Sequence, residues 1–452
     1  MGRNPGRKMS GPGTVGRFGE PAPGSRIRVV RVRVAFRKGD RVLSDPLEAW
    51  DLLCAALSPL GEESLPLASA GGRYLAESVR ADRNLPPADR STVDGFAVRS
   101  ADAAAAPVRL RVAGELAAGT APAGTVGPGE CVRIFTGANL PAGADAVVPV
   151  EDAEEETGAE GRGAWIRTRR PVSPAEHLVR RGEHARAGQV LLPAGARLGP
   201  GQVALAAACG CHRPRVHRLP VAAVLVTGSE LLSPDAPAPG DHEVRDSNGP
   251  LLAAALAAEG FPCGPVRRVP DDLGGTVESL RGAAASAGAL LVTGGASVGK
   301  YDFLERALAE LGAAVHYHGV RMKPGKPQLF ATLPGGAAVF GLPGNPLSAL
   351  VGLHEFVLPG LRLLAGCPPA AARRGFSLPL ASAATPAADR WRLLPARLEA
   401  LPRGTAAAPL ACGGSSDLVA GALADGAVLI PPGTGALPPG TPVEFRPWGS
   451  PP

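Results

Sequence analysis

Residues 221–230 read VAAVLVTGSE and residues 289–299 read ALLVTGGASVG. In each, a short aliphatic run ends in Thr-Gly, the pattern of a buried strand that stops in a tight glycine turn. Helical spacing at 250–259 and 276–287 lies between the two runs, and a further helix is expected at 302–311. A strand near 313–320, a strand pair ending in GLPGNP at 341–346 and a long helix to Leu364 complete the rhythm. Strands alternating with helices predict an α/β fold over residues 215–366, its mostly parallel sheet covered on both faces. Ligands of such sheets sit beyond the carboxyl ends of the strands, and the glycine turns lie there.

Outside this segment the character changes. Residues 46–57 have helical periodicity behind a candidate N-cap at Ser44 or Asp45, and 62–79 carry a second amphipathic pattern that predicts another short helix. Val- and Ile-rich runs at 108–112, 131–135 and 146–150, split by Gly, Pro and acidic turns, predict a small β domain. The stretch EDAEEETGAEGRG at 151–163 reads as a solvated acidic loop. Short strands return between 379 and 448, so a second small β domain is expected at the C-terminal end.

Composition narrows the function. The 452 residues include 60 Gly and 48 Pro, and 45% are hydrophobic. Such aliphatic content excludes wholesale disorder, and so much Gly and Pro excludes a plain helical bundle. Neither a membrane span nor a secretory signal is readable, so a cytoplasmic protein without membrane contact is expected. Net charge is +6, but residues 1–44 hold 11 Lys+Arg against 2 Asp+Glu, which leaves the remainder weakly acidic. The basic balance belongs to a tail that reads as a disordered extension, and no nucleic-acid partner is expected. Seven cysteines without C-x-x-C spacing indicate a reducing compartment; Cys209, Cys211 and His212 lack a second ligand pair and read as ordinary side chains.

Lysine usage points to a site. Only five Lys stand beside 42 Arg, yet Lys300, Lys323 and Lys326 fall within 27 residues. A position that keeps Lys against such a bias needs a compact, rotatable cation close to an anion. In Lys323-Pro324-Gly325-Lys326-Pro327 the prolines limit the freedom of a doubly cationic turn, which suits a compact oxyanion. The turns Thr227-Gly228-Ser229-Glu230 and Thr293-Gly294-Gly295, with Ser297 and Gly299 beyond, offer hydroxyls and unhindered backbone N–H groups to a phosphate. Asp246 and Asn248 in RDSN, with Asp271, Asp272 and Asp302, bring hard oxygen donors to the same sheet edge, as Mg²⁺ beside a phosphate requires. There is no nucleophile-and-base pair of a hydrolase triad; the chemistry reads as positioning and electrostatics.

Taken together, eight ordered motifs resemble the MoeA and gephyrin E-domain family, the molybdopterin molybdenumtransferases. They are PADRSTVDGFA at 87–97, TGANLP at 136–141 with GADAVV at 143–148, RGE at 181–183, TGSEL at 227–231, DSN at 246–248, TGGASVG at 293–299, MKPGKP at 322–327 and GLPGNPLSA at 341–349. The resemblance implies an elongated homodimer that inserts molybdate into adenylylated molybdopterin, with Mg²⁺ present and AMP released. It implies a linker and dimerisation domain from 45–89 and 174–214, an inserted β domain at 90–173, a MogA-like molybdopterin-binding domain at 215–366 and a C-terminal β barrel at 373–452. By motif, Asp89, Thr136 and Glu183 would come from the partner subunit as catalytic groups, beside Asp302, Lys323 and Lys326. Metal would fall to Asp246, Asp271 and Asp272. Substrate would fall to Thr227, Gly228, Ser229, Glu230, Ser247, Asn248, Gly294, Gly295, Ser297, Gly299, Pro343, Gly344, Asn345, Pro346 and, more loosely, Ser415. A molybdopterin adenylyltransferase would be a partner.

The chain departs from the family pattern at Ser229, Lys300 and His184, where carboxylates are usual, and at His177, where Asn is usual. Two other readings stay open on the same fold: a nucleotide-handling enzyme such as an adenylyl transferase or a CinA-like pyrophosphatase, and an impaired, scaffolding paralogue.

Overall fold

The computed structural model describes residues 43–157, 164–294, 303–402 and 404–449. The first helix, Pro46–Ala56, opens with a capping box: Asp45 accepts from its own helix's first turn while Glu48 reaches back to the Asp45 amide. Ser44, placed with the extension by the sequence reading, belongs to the folded body. Its amide donates to Gly319 O at 3.1 Å and its carbonyl accepts from Arg321 N at 2.8 Å, beside the lysine turn.

The helix expected at 62–79 does not form. Pro66 and the Gly71-Gly72 pair, the latter glycine at φ +81°, break it. The segment instead makes the strand Glu62–Ser64, a 3₁₀ turn at Leu67–Ser69 and the strand Val79–Arg80. Three short antiparallel ladders join this part to a later one: Glu62–Ser64 with Arg215–His217, Val79–Arg80 with Val190–Leu192, and Arg90–Ser91 with Leu178–Val179.

Between those ladders lies a six-stranded sheet. Its order is Ala146–Pro149, Gly95–Val98, Glu130–Ile134, Arg109–Leu116, Ala164–Thr168 and Ala153–Thr157. The acidic stretch is therefore not simply a solvated loop, since Ala153–Thr157 is a strand. Its carboxylates face arginines of the same sheet: Glu156 meets Arg109 at 2.8 Å and Arg167 at 3.2 Å, and Glu155 meets Arg133.

The α/β part has the sheet order Arg267–Val269, Ala222–Thr227, Ala289–Thr293, Ala338–Leu342, Leu329–Thr332, Ala314–His318. The first four strands are parallel and the last two antiparallel. Ala289–Thr293 and Ala338–Leu342 are buried at every position, as strands covered on both faces must be. From Ala222–Thr227 the chain goes first to one neighbour, Arg267–Val269, and then to the other, Ala289–Thr293, so the order reverses there. A crevice opens at such a reversal. Thr293 pairs in register with Val226 on one side and Leu342 on the other, which sets the turns after Thr227, Thr293 and Leu342 side by side.

The long helix ending at Leu364 is interrupted: Pro346–Gly352 and Leu358–Leu364 flank a π turn at Leu353–Val357. Pro359 lacks the amide that a continuous α-helix would use one turn back, and a wider turn accommodates the gap. This 19-residue run is long and apolar enough to cross a membrane but is almost wholly buried as the core of the fold.

In the C-terminal part the strand Trp391–Leu401 is central, pairing with Gly404–Pro409 and Gly426–Ile430; Pro442–Pro447 and Phe376–Pro379 follow outward. The barrel implied by the resemblance is not established by these pairings. The outer strands Phe376–Pro379 and Gly404–Pro409 form no ladder among the described residues; an isolated bridge, Leu380 with Ala407, lies between these edges. Met322–Lys323 joins the same sheet parallel to Trp391–Leu401, with Lys323 opposite Arg392.

One buried titratable group bears on stability. His354 stacks on Trp448 with ring centroids 5.8 Å apart, and burial, aided by the Arg362 cation, pushes its imidazole from 6.5 down to about 4. A depressed value means the folded state prefers neutral His354. Its stabilisation is complete above about pH 6.5 and is lost as pH falls toward 4. In urea unfolding at pH 7, 5.5 and 4, His354→Gln is expected to lose less stability on acidification than the parent; equal slopes would count against this.

Candidate active site

The three adjoining turns build one cavity of about 670 Å³. Gly294 makes its floor possible: at φ +78°, with a Cβ there lying 2.5 Å from Thr227 Oγ1, only glycine fits. Thr227 Oγ1 donates to Thr293 O at 3.2 Å, and Gly294 N donates to Leu342 O at 3.2 Å, locking the turns together. Thr227, Gly228, Glu230, Asp246, Ser247, Asn248 and Asp271 line this cavity, as do Gly294 and Pro343, Gly344, Asn345 and Pro346. Asp246 accepts from Gly249 N through one oxygen, at 2.9 Å, and Asp271 accepts from Ser229 N through one oxygen, also at 2.9 Å. Asn248 is buried at the start of its helix and donates from Nδ2 to Gly344 O at 2.8 Å; its Oδ1 has no partner among the described residues.

A second cavity, of about 790 Å³, opens against the C-terminal sheet. Lys323 and Lys326 line it, as expected for an oxyanion site, together with Ser415. Gly325 at φ +98° and the bond from Val320 N to Lys326 O, 2.8 Å, close the lysine turn. Pro327, Pro343 and Asn345 line both cavities and form the wall between them. The lysines and the carboxylates thus line adjoining chambers that have these three residues in common.

Four residues that sequence reasoning missed also line the lysine chamber: Ser348, Asp389, Arg390 and Arg392. Both carboxylate oxygens of Asp389 accept from Arg390, at 2.8 and 2.7 Å, and that bond holds the Asp389 carboxyl below its usual range. Among 42 arginines no sequence signal singles out two, whereas a lysine is conspicuous.

Some expected residues lie elsewhere. Ser229 is exposed and lines neither chamber; only its amide takes part, on Asp271. Asp272 lines neither chamber; it is the N-cap of Leu273–Ala284, accepting from Gly275 N at 2.7 Å through one oxygen. Among the described residues no group of three metal-ligating side chains assembles, at Cys209, Cys211 and His212 or anywhere else. Asp302, Gly295, Ser297 and Gly299, with Lys300, lie outside the described residues.

Asp89, Thr136 and Glu183 line neither chamber. Asp89 accepts from Arg181 N at 2.8 Å and from Arg180 Nη1 at 2.6 Å, and Glu183 accepts from Arg180 N at 2.8 Å. The Arg181 amide, then the Arg180 guanidinium, hold the Asp89 carboxyl below its usual range against partial burial. Thr136 donates from both amide and hydroxyl to Asp94 Oδ1, each at 2.7 Å, and lowers that carboxyl too. Bonds from Leu140 N to Asp89 O and from Gly137 N to Ser91 O join these segments at one junction. His177, where Asn is usual in the family, sits at φ +58°, a region that Asn tolerates better than most residues.

Comparison with known proteins agrees with this architecture. Residues 45–210 match the MoeA N-terminal region (domain I and II), 223–363 a probable molybdopterin binding domain, and 377–448 the MoeA C-terminal region (domain IV). The chain is 40% identical over 314 residues to the molybdopterin molybdenumtransferase of a Nostoc species, covering 67% of this chain and 70% of that one. It is 38% identical over 294 residues to that of Bacillus subtilis, covering 64% and 67%. The crystal structure of the molybdopterin biosynthesis moeA protein of Pyrococcus horikoshii OT3 superposes with a TM-score of 0.75 at 26% identity, over 90% of this chain and 100% of that one. With all three regions matched in order and relatives of this identity, the chain belongs to the MoeA family of molybdopterin molybdenumtransferases, enzymes of molybdenum cofactor biosynthesis.

Proposed function

We propose that this chain inserts molybdate into adenylylated molybdopterin with release of AMP, in a Mg²⁺-dependent reaction. The observation that carries the reading is the pair of adjoining chambers, one lined by Lys323 and Lys326 and the other by Asp246 and Asp271, with the Pro343–Asn345 wall common to both. The cationic chamber suits a tetrahedral dianion, since ammonium groups on a closed turn lose little entropy when they bind it. The other chamber has the uncluttered backbone of Gly228, Gly294 and Gly344, where a phosphate can approach closely. A substrate that reached across the shared wall would present its pterin end to the molybdate and its adenylate to the carboxylates.

The donor set there fits Mg²⁺. Asp246 and Asp271 each have one oxygen engaged by a backbone amide, which orients the carboxylate and leaves the other oxygen for an ion. Mg²⁺ needs only one or two carboxylates beside phosphate and water, so the lack of a three-residue cluster among the described residues is no obstacle. When bound, the ion neutralises charge on the phosphate. Asn248, pinned to Gly344, holds the wall loop against the chamber, and the Lys323 and Lys326 ammonium groups hold the oxyanion.

The Asp89, Thr136 and Glu183 junction, which lines neither chamber, would serve the site of a second copy in a homodimer. A molybdopterin adenylyltransferase, which makes the adenylylated substrate, would be the upstream partner. The decisive experiment mixes the full chain with adenylylated molybdopterin, Mg²⁺ and molybdate, and measures released AMP and pterin-bound molybdenum. Equal amounts of the two are expected; AMP without captured molybdenum would favour the pyrophosphatase reading. Mixing Lys323→Ala with Glu183→Gln subunits should restore activity if the site is shared, and no restoration would refute the sharing.

A further inference from the structure

The wall between the two chambers has a polar member, Asn345, and its hydrogen bond crosses from the α/β part to the C-terminal part. Asn345 Nδ2 donates to Ser415 Oγ at 2.9 Å. Both backbones that carry this bond are held by further hydrogen bonds. Asn248 Nδ2 grips Gly344 O at 2.8 Å on one side. On the other, Ser348 N donates to Ser415 O at 3.3 Å, and Asp417 accepts from Gly413 N at 2.8 Å and from Ala420 N at 3.0 Å. With the loops held and Oγ engaged by Asn345, what is left to choose at the Ser415 hydroxyl is the direction of its one proton.

A serine hydroxyl has one proton to give and lone pairs to offer. The Asn345 amide takes a lone pair and cannot take the proton, so the proton is left to point elsewhere. Ser415 lines the chamber that holds Lys323 and Lys326, and among the described residues its hydroxyl donates to no protein acceptor. We propose that Asn345 is a positioning residue that aims the Ser415 hydroxyl proton into the lysine-lined chamber, where a tetrahedral oxyanion accepts it. This rests on the reading of that chamber as the molybdate site. It assigns to Asn345 a role distinct from contact with substrate: it acts through Ser415, from the wall that both chambers share.

The test is calorimetric titration of sodium molybdate into the full chain. Ser415→Ala is expected to weaken binding about tenfold, the loss of one hydrogen bond to a charged acceptor. Asn345→Ala, which frees the hydroxyl to rotate, should weaken it about threefold to tenfold, and Asn345→Ala/Ser415→Ala no further than Ser415→Ala alone. Asn345→Asp should bind at least as weakly as Ser415→Ala, because a carboxylate captures the hydroxyl proton. A merely structural role for Asn345 would make the two alanine losses multiply, and that result overturns the proposal. So does wild-type affinity in Asn345→Ala when Lys323→Ala binds weakly; wild-type affinity in Lys323→Ala overturns the chamber reading itself and the positioning role with it. Thermal unfolding midpoints of each variant establish that the fold is retained.

Discussion

Replacing Lys323 and Lys326 together by alanine is expected to lower kcat/KM for molybdate by about 10²–10³ while leaving thermal stability nearly unchanged. The two effects separate because both side chains are exposed and neither forms an ion pair among the described residues, so the fold loses little with them. The oxyanion loses its cations in a chamber whose other lining charges are Arg390, Arg392 and the Asp389 carboxylate. Arg390 is already committed to Asp389 and cannot simply take over. Lys→Arg at both positions should rescue poorly, since a planar fork does not reproduce a rotatable point charge in a closed turn. Steady-state assays with molybdate varied, scored by pterin-bound molybdenum, check this. Full activity of the double alanine variant at limiting molybdate would refute the assignment.

Gly294→Ala is expected to cost about 2–4 kcal/mol of stability and to abolish substrate binding in the same step. The backbone there is left-handed, at φ +78°, and a Cβ would lie 2.5 Å from Thr227 Oγ1 and 2.6 Å from Thr227 O. The second of these is main chain and cannot rotate away, so the strand end that carries Thr227 and Gly228 must move. Gly344→Ala is the control: among the described residues a Cβ there meets only Gly294 Cα, at 3.8 Å, an ordinary contact. Urea midpoints for the two variants should differ by most of the predicted cost; similar midpoints would mean that the floor is more compliant than its geometry implies.

The contrast between those glycines shows where sequence reading stops. A glycine turn after an aliphatic run announces a strand end at both, but which glycine bears the close approach depends on parallel register across three strands, with Thr293 between Val226 and Leu342. The failed helix at 62–79 has the same lesson in reverse. Its apolar spacing was helical, yet Pro66 and Gly71-Gly72 break the run, and pairing with residues 215–217, far along the chain, offers its backbone better partners. Asp272 stands beside Asp271 in the sequence, but it caps a helix while Asp271 lines the chamber, a difference that only the fold reveals.

What the sequence by itself determined is the α/β rhythm, the family and the two lysines, because strand length, glycine turns and a scarce residue type are local properties that survive without coordinates. Only tertiary structure decided that the lysines and carboxylates line adjoining chambers, and that Asp389, Arg390 and Arg392 line the first. Those residues come from the C-terminal part, and what brings them in is the parallel pairing of Met322–Lys323 with the strand that starts at Trp391. A ladder between residues some seventy positions apart leaves no local periodicity to read; its register is set by packing and backbone hydrogen bonds across the whole fold.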